Sequence, residues 1–178
     1  ANATAGFEIG YKYANLGPGD EVIAPAITFI ATIAYPLGVG AKVVLADVDP
    51  RTLNMDPADV ARKITKRTRI VAVGMASNAL GTVNDIALVR RLSQQVDALL
   101  VLDAVHYAPH FPLDVRALGT DFLLCSAYKF YGPHVGILYA RPGLLDRLRP
   151  DRLSTQDAAA PYRIETGTLN HAALAGVK

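Results

Sequence analysis

Ala98-Leu99-Leu100-Val101-Leu102-Asp103-Ala104-Val105-His106 is the stretch on which the fold turns. An apolar run of strand length reads as a strand covered on both faces, because a strand with one wet face would alternate apolar and polar residues. Ala98 to Val105 should therefore lie at the centre of a sheet. On its N-terminal side, Asp85 caps a helix over Ile86 to Val96, whose Ile86, Leu88, Val89 and Leu92 fall mostly at helical spacing, and Arg69 to Gly74 reads as the preceding strand. On its C-terminal side, Phe122 to Ser126 and Gly136 to Ala140 are further strand candidates, with a short helix near Leu144 to Leu148. Nearer the start, Glu21 to Ala24 and valine-rich Lys42 to Val48 read as strands. Asn2 and Thr4 are helix-start residues for a helix over Gly6 to Leu16, and Thr28 to Leu37 reads as a second helix. Asp56-Pro57-Ala58-Asp59 opens a third, running to about Ile64. Strands that alternate with helices predict an α/β fold of three layers, αβα, around a mostly parallel sheet. Ligands in such sheets sit beyond the carboxyl ends of the strands.

The chain has 178 residues, 18 Lys and Arg against 16 Asp and Glu, and a net charge of +2. That balance argues against a nucleic-acid surface or an acidic membrane as the main partner. The apolar stretch from Ala24 to Val48 is cut by Pro25, Pro36, Gly38, Gly40, Lys42 and Asp47, so no uninterrupted membrane span is expected. Cys125 is the only cysteine; it excludes an internal disulfide and suits a reducing cytoplasm. His106, His110, His134 and His171 lack a matching set of close ligands, so no metal is predicted. The start at Ala1 and the apolar run at the other end, His171 to Lys178, suggest a fragment: a single large domain over residues 1–178.

Two residues at expected strand ends could carry chemistry. Asp103 closes the apolar run, and an isolated carboxylate in a dry environment costs several kcal/mol, so a cationic partner is expected; a loop cap or a structural ion pair is the plain alternative. Lys129 lies just beyond Phe122 to Ser126, among Tyr128, Phe130 and Tyr131. Lysines flanked by aromatic rings are usually snorkelling surface groups. An amine held among apolar side chains has its pKa lowered, however, as a lysine that attacks a carbonyl requires. An acid on one strand end and a lysine on the next suggest a cofactor held between them by a ring nitrogen and an aldehyde carbon.

Ser77-Asn78-Ala79-Leu80-Gly81, Asp103-Ala104-Val105-His106, Ser126-Ala127-Tyr128-Lys129-Phe130-Tyr131-Gly132-Pro133 and Glu165-Thr166-Gly167-Thr168-Leu169-Asn170 occur in that order. With them, Val71 to Ala175 resembles the class V aminotransferases, and within these the cysteine desulfurases and desulfurase-like proteins. The resemblance implies the aspartate aminotransferase fold and the cofactor pyridoxal 5'-phosphate, held by Lys129 as an internal aldimine. It implies that Asp103 pairs with the pyridine nitrogen, that His106 and Asn78 lie near the phenolic oxygen, and that Ser126 binds the phosphate. Gly167 and Thr168 would reach a phosphate in a neighbouring subunit, which makes a homodimer the expected state and a small-molecule amino donor the expected partner. Tyr128 stands where desulfurases usually carry histidine, so its phosphate contact departs from the pattern. The desulfurases' nucleophilic cysteine lies on a later loop, so Cys125 is expected to be a buried hydrophobe. The small C-terminal domain, which usually supplies an arginine for the substrate carboxylate, is expected to be absent.

Residues 1 to about 69 are different in character. Gly17 to Pro25, Thr28 to Thr32, Gly40-Ala41-Lys42 and Asp47 to Pro57 resemble the DegT/DnrJ-type sugar aminotransferases, which share the fold and the cofactor. That makes a mosaic with a join near residues 69–71 a second expectation. By this resemblance the helix start at Ala3-Thr4-Ala5 would donate backbone N–H groups to the phosphate. Phe29 would stack on the pyridine face, with ordinary core packing as its alternative. The reading that follows is a pyridoxal-phosphate enzyme, either an aminotransferase or a desulfurase-like lyase, acting on an amino acid or amino sugar. Its rival is a large-domain fragment or scaffold that at most binds the cofactor.

Overall fold

The computed structural model describes residues 3–165 and 167–178. Six strands form one sheet: β1 (Glu21–Pro25), β2 (Lys42–Ala46), β3 (Thr68–Gly74), β4 (Leu99–Asp103), β5 (Phe122–Ser126) and β6 (Gly136–Ala140), in the order β2-β1-β3-β4-β5-β6. The first five are parallel, and β6 closes the edge antiparallel to β5. β4 is central, between β3 and β5, as its apolar run requires.

Successive strand residues point to opposite faces, and here both faces are dry. Ile70 and Ala72 of β3, Val101 of β4, and Phe122 and Leu124 of β5 pack with Phe7 and Tyr11 of α1 (Ala3–Tyr13). Val71 and Val73, Leu100 and Leu102, and Leu123 and Cys125 face the other way. They pack against Val60 of α3 (Pro57–Lys63) and Ile86, Val89 and Leu92 of α4 (Ile86–Gln95). The result is the expected three-layer αβα arrangement. Gly6 and Gly10 let α1 lie close to β5: a Cβ at Gly6 would run into the Leu124 side chain. The hydroxyl of buried Tyr11 donates to the Thr32 carbonyl at 2.6 Å, tying α1 to α2 (Ala31–Gly38).

All six expected strands form, Phe122–Ser126 and Gly136–Ala140 with the expected ends and the others with shifted ones. The second stops at Ala46, and Val48 instead makes an isolated bridge to Met55. The central strand is Leu99–Asp103, so Ala104 and Val105 already belong to the turns that follow. The first helix begins earlier than Gly6, at Ala3; Asn2 lies outside the described residues. Thr28 to Ile30 are not helical: Ile30 is the cap residue of α2, and the Thr28 and Thr32 hydroxyls lie 2.9 Å apart. A one-turn helix, α5 (Val115–Leu118), is capped by the Asp114 carboxylate, which accepts from Arg116 and Ala117 N–H groups; it was not expected. α6 (Leu144–Arg147) lies near its predicted position, and α7 (His171–Ala175) follows an irregular stretch. Among the described residues no helix is long and apolar enough to cross a membrane.

Candidate active site

The carboxyl ends of β1, β3, β4 and β5 open into a cavity of about 730 Å³, within the range of roughly 300–1,000 Å³ typical of small-molecule sites. Pro25, Gly74, Asp103 and Ser126, the last residues of those strands, all line it. So do Thr4 from the first turn of α1, Phe29, Asn78, His106, Tyr128 and Lys129. The sequence-derived set thus converges on one cavity. Its exceptions are Ala5, which lies beside Thr4 in α1 but is not a lining residue, and Gly167 and Thr168, which stand in the exposed C-terminal segment. Thr166 of the same motif lies outside the described residues.

Asp103 finds no cationic side chain, contrary to the sequence-based expectation. Its Oδ1 accepts from the Val105 N–H at 2.9 Å, the loop cap of the plain alternative, and among the described residues the carboxylate has no salt bridge and no second hydrogen bond. Its carboxyl pKa is pushed up, chiefly by burial, against the opposing pull of the Val105 N–H and the His106 imidazole. The proton affinity of His106 is pushed down, first by burial and then by the positive charge of Lys129, while Asp103 acts in the other direction. His106 therefore stands electrically between the acid and the amine.

Lys129 sits on a single turn of 3₁₀ helix, Ala127–Phe130, directly after β5. It is exposed at the cavity, as a snorkelling lysine would be and not sheathed in apolar side chains as the alternative required, and its Nζ lies 5.0 Å from the centre of the Tyr128 ring. That ring is stacked at 4.7 Å on His134. The loop is folded tightly back: Ala127 N–H donates to the Val135 carbonyl and Gly132 N–H to the Ala127 carbonyl, both at 2.9 Å. A Cβ on Gly132 would stand 3.0 Å from the Ala127 oxygen, so glycine is needed there for close approach.

Phe29 is 70% exposed, which rules out core packing for it and leaves its ring at the cavity wall. Ser126 is buried, and its hydroxyl makes no hydrogen bond among the described residues. Cys125 is buried as expected, and burial raises its thiol pKa. Sequence reasoning did not single out Thr28, Thr32, Asn54 or Asn84, which also line the cavity. Asn84 donates to the Gly74 carbonyl at 2.6 Å and Asn54 to the Thr82 carbonyl at 2.9 Å, bracing the loop that carries Asn78. Only the irregularity around them, such as positive φ at Leu53, distinguishes these residues, and that cannot be read from residue type.

Residues 2–178 match the family model Aminotransferase class-V, including the stretch that resembles the DegT-type proteins. The chain is 35% identical to a cysteine desulfurase of Klebsiella pneumoniae over 92% of its own length and 44% of that protein. It is 34% identical to the aminotransferase-like protein FGM3 of Gibberella zeae over 77% of its length and 42% of that protein. The crystal structure of the cysteine desulfurase CsdA from Escherichia coli superposes with a TM-score of 0.87 at 29% identity, covering 98% of this chain and 48% of that one. The chain thus spans less than half the length of these relatives. Class V aminotransferases and cysteine desulfurases use pyridoxal 5'-phosphate, and the cavity suits that molecule. An acid with an open oxygen, an exposed aromatic wall, an unbonded hydroxyl and an amine face one space of fitting size. By sequence and by fold, the chain belongs to the class V aminotransferase family.

Proposed function

We propose that this chain is the cofactor-binding domain of a pyridoxal-phosphate enzyme that acts at the amine-bearing carbon of an amino acid or amino sugar, by transamination or by desulfurase-like carbon–sulfur cleavage. The observation that carries this reading is the convergence of Asp103 and Lys129, from the ends of neighbouring strands, on one cavity with His106 between them. When bound, the cofactor supplies an electron-withdrawing ring, which acidifies the substrate carbon. Lys129 would hold the cofactor's aldehyde carbon, and its amine would move the proton at the substrate α-carbon as general base and acid. Asp103 keeps the pyridine nitrogen protonated; its unpaired oxygen suits an N–H donor.

His106 and Asn78 would serve the phenolic oxygen, and Phe29 would cover the ring face. Ser126, Thr4 and the Ala5 backbone serve the phosphate at the start of α1. Tyr128 holds its ring beside the amine. Gly167 and Thr168 serve the site of a second subunit in a homodimer, and the buried lone cysteine suits the cytoplasm. The whole is one large domain, with any join at residues 69–71 absorbed inside β3.

The rival reading is a domain that binds the cofactor and does not turn over. Adding pyridoxal 5'-phosphate should give an absorbance band near the visible–ultraviolet border, and borohydride should then fix the cofactor on the peptide containing Lys129. Lys129→Ala should abolish that attachment; attachment mapped elsewhere rejects the assignment. Product formed from amino-acid or amino-sugar donors separates the enzyme from the silent domain.

A further inference from the structure

We infer that a second cavity beside Lys129 is a subsite for a carboxylate on the far end of the substrate, with His110 as the residue that holds it. This rests on the proposed function above and narrows it to acidic amino donors. The cavity measures about 580 Å³ and shares Ser77, Asn78, His106 and Lys129 with the first, so a molecule reacting at Lys129 can extend into it. Its outer wall contains His110, Phe111 and Tyr131.

The winding of the chain after β4 builds this wall. Ala108 N–H donates to the Ala104 carbonyl at 2.8 Å and Phe111 N–H to the Tyr107 carbonyl at 3.1 Å, while Tyr107 and His110 N–H reach the same two carbonyls at 3.0 Å, so the segment winds through two successive helix-like turns. That winding brings His106 and His110 to the same space. With Lys129 they make three basic groups, and no Asp or Glu is among the described residues that line the cavity. Neither histidine makes a salt bridge to a carboxylate among the described residues, and of the carboxylates only Asp103 acts on His106 electrostatically. The charges act on one another: Lys129 and His110 both hold the proton affinity of His106 down. An anion entering such a cavity relieves that repulsion.

Tyr131 and Phe111 supply the rest of a binding wall. The Tyr131 backbone is left-handed, with φ 67°, a conformation a non-glycine residue adopts at a cost, and its ring is fully exposed at the rim, where its hydroxyl can donate. Phe111 lies 4.8 Å from Tyr107 and offers an apolar flank for the methylenes between the reacting carbon and the carboxylate. The chemistry that fits is a short aliphatic chain ending in a negative charge.

The test uses glutamate and glutamine, which differ in that one group. With the cofactor-loaded chain, displacement of Lys129 followed by absorbance should give glutamate a Kd about tenfold lower than glutamine, as a charge-assisted hydrogen bond provides. His110→Asn should bring the two Kd values to within about twofold, and His110→Lys should restore the preference. His110 is exposed, so these variants should keep the fold. Equal binding of the pair by the parent chain, or a preference that survives in His110→Asn, overturns the inference. An independent arm uses the cofactor-free chain: glutarate should shift the His110 imidazole resonances and glutaramide should not. Shifts there, together with cofactor attached away from Lys129, would leave the subsite standing and remove the proposed function. Unmoved resonances with Lys129 correctly labelled would do the reverse.

Discussion

Asp103 ends β4 and Asp121 precedes the neighbouring β5, so they stand near opposite rims of one sheet, and their surroundings are opposite. Asp121, just before β5, is saturated by its own chain: Oδ2 accepts from Arg90 Nη1 at 3.1 Å and from the Leu100 N–H at 2.9 Å, and Oδ1 accepts from Arg141 Nε at 2.9 Å. Glu21, at the start of β1, is treated similarly by the Thr65 hydroxyl, Arg67 and Lys42, which hold its carboxyl below its ordinary range. Asp103, at the carboxyl end of β4, receives one backbone N–H and no cation, and its pKa rises. Carboxylates that hold a fold together are neutralised from within. One left half-satisfied at the mouth of a cavity is placed to be completed from outside, and that is the physical core of the proposed site.

The comparison is broken most severely from the saturated side. Asp121→Ala strands Arg90 and Arg141 without their acid and leaves the Leu100 N–H unpaired, so it should cost about 3 kcal/mol in urea unfolding. A loss under about 1 kcal/mol would mean that the lower rim is not held by this cluster. At the upper rim, cohesion comes from backbone packing instead. Gly132→Val would drive a side chain into Ala127 and should cost about 2 kcal/mol. It should also reduce the fraction of chain labelled by cofactor and borohydride, because Lys129 rides on the same turn. Destabilisation without loss of labelling would separate that turn's folding from its hold on the amine.

The rims also differ in how far they could be read in advance. Asp103 was legible because a carboxylate closing an apolar run can only stand at a strand end, and the strand order put the loop of Lys129 beside it. The cation expected for Asp103 is missing among the described residues, where its carboxylate accepts only from the Val105 N–H. Lys129's exposure was one of two open readings, since flanking aromatic residues do not fix which way they point: Tyr128 stacks on His134 and Tyr131 turns outward through a left-handed backbone. Pro109 obscures the helix-like winding that brings His106 and His110 together, and α5 is one turn long, too short to show a period. The two faces of the sheet, by contrast, follow residue by residue from alternation in β3, β4 and β5.

The smallest effect gives the sharpest comparison, because its sign is opposite to that at Asp121. Asparagine at position 103 keeps the oxygen that accepts from Val105 and carries no charge, so it resembles the protonated acid. Because burial raises the folded-state pKa of Asp103, the folded chain binds its proton more tightly than the unfolded chain does. The stabilisation from that proton is complete below the ordinary carboxylate range and is lost as pH rises through the raised folded value. In the cofactor-free protein, Asp103→Asn should therefore match the parent at low pH and exceed it at neutral pH by under about 1 kcal/mol. Cofactor should reverse the order, since the parent gains a partner for its charge and the variant gains none, so thermal stabilisation by added pyridoxal 5'-phosphate should be smaller in Asp103→Asn. If the variant is instead less stable at neutral pH without cofactor, Asp103 is a structural acid like Asp121, and the two rims no longer differ in kind.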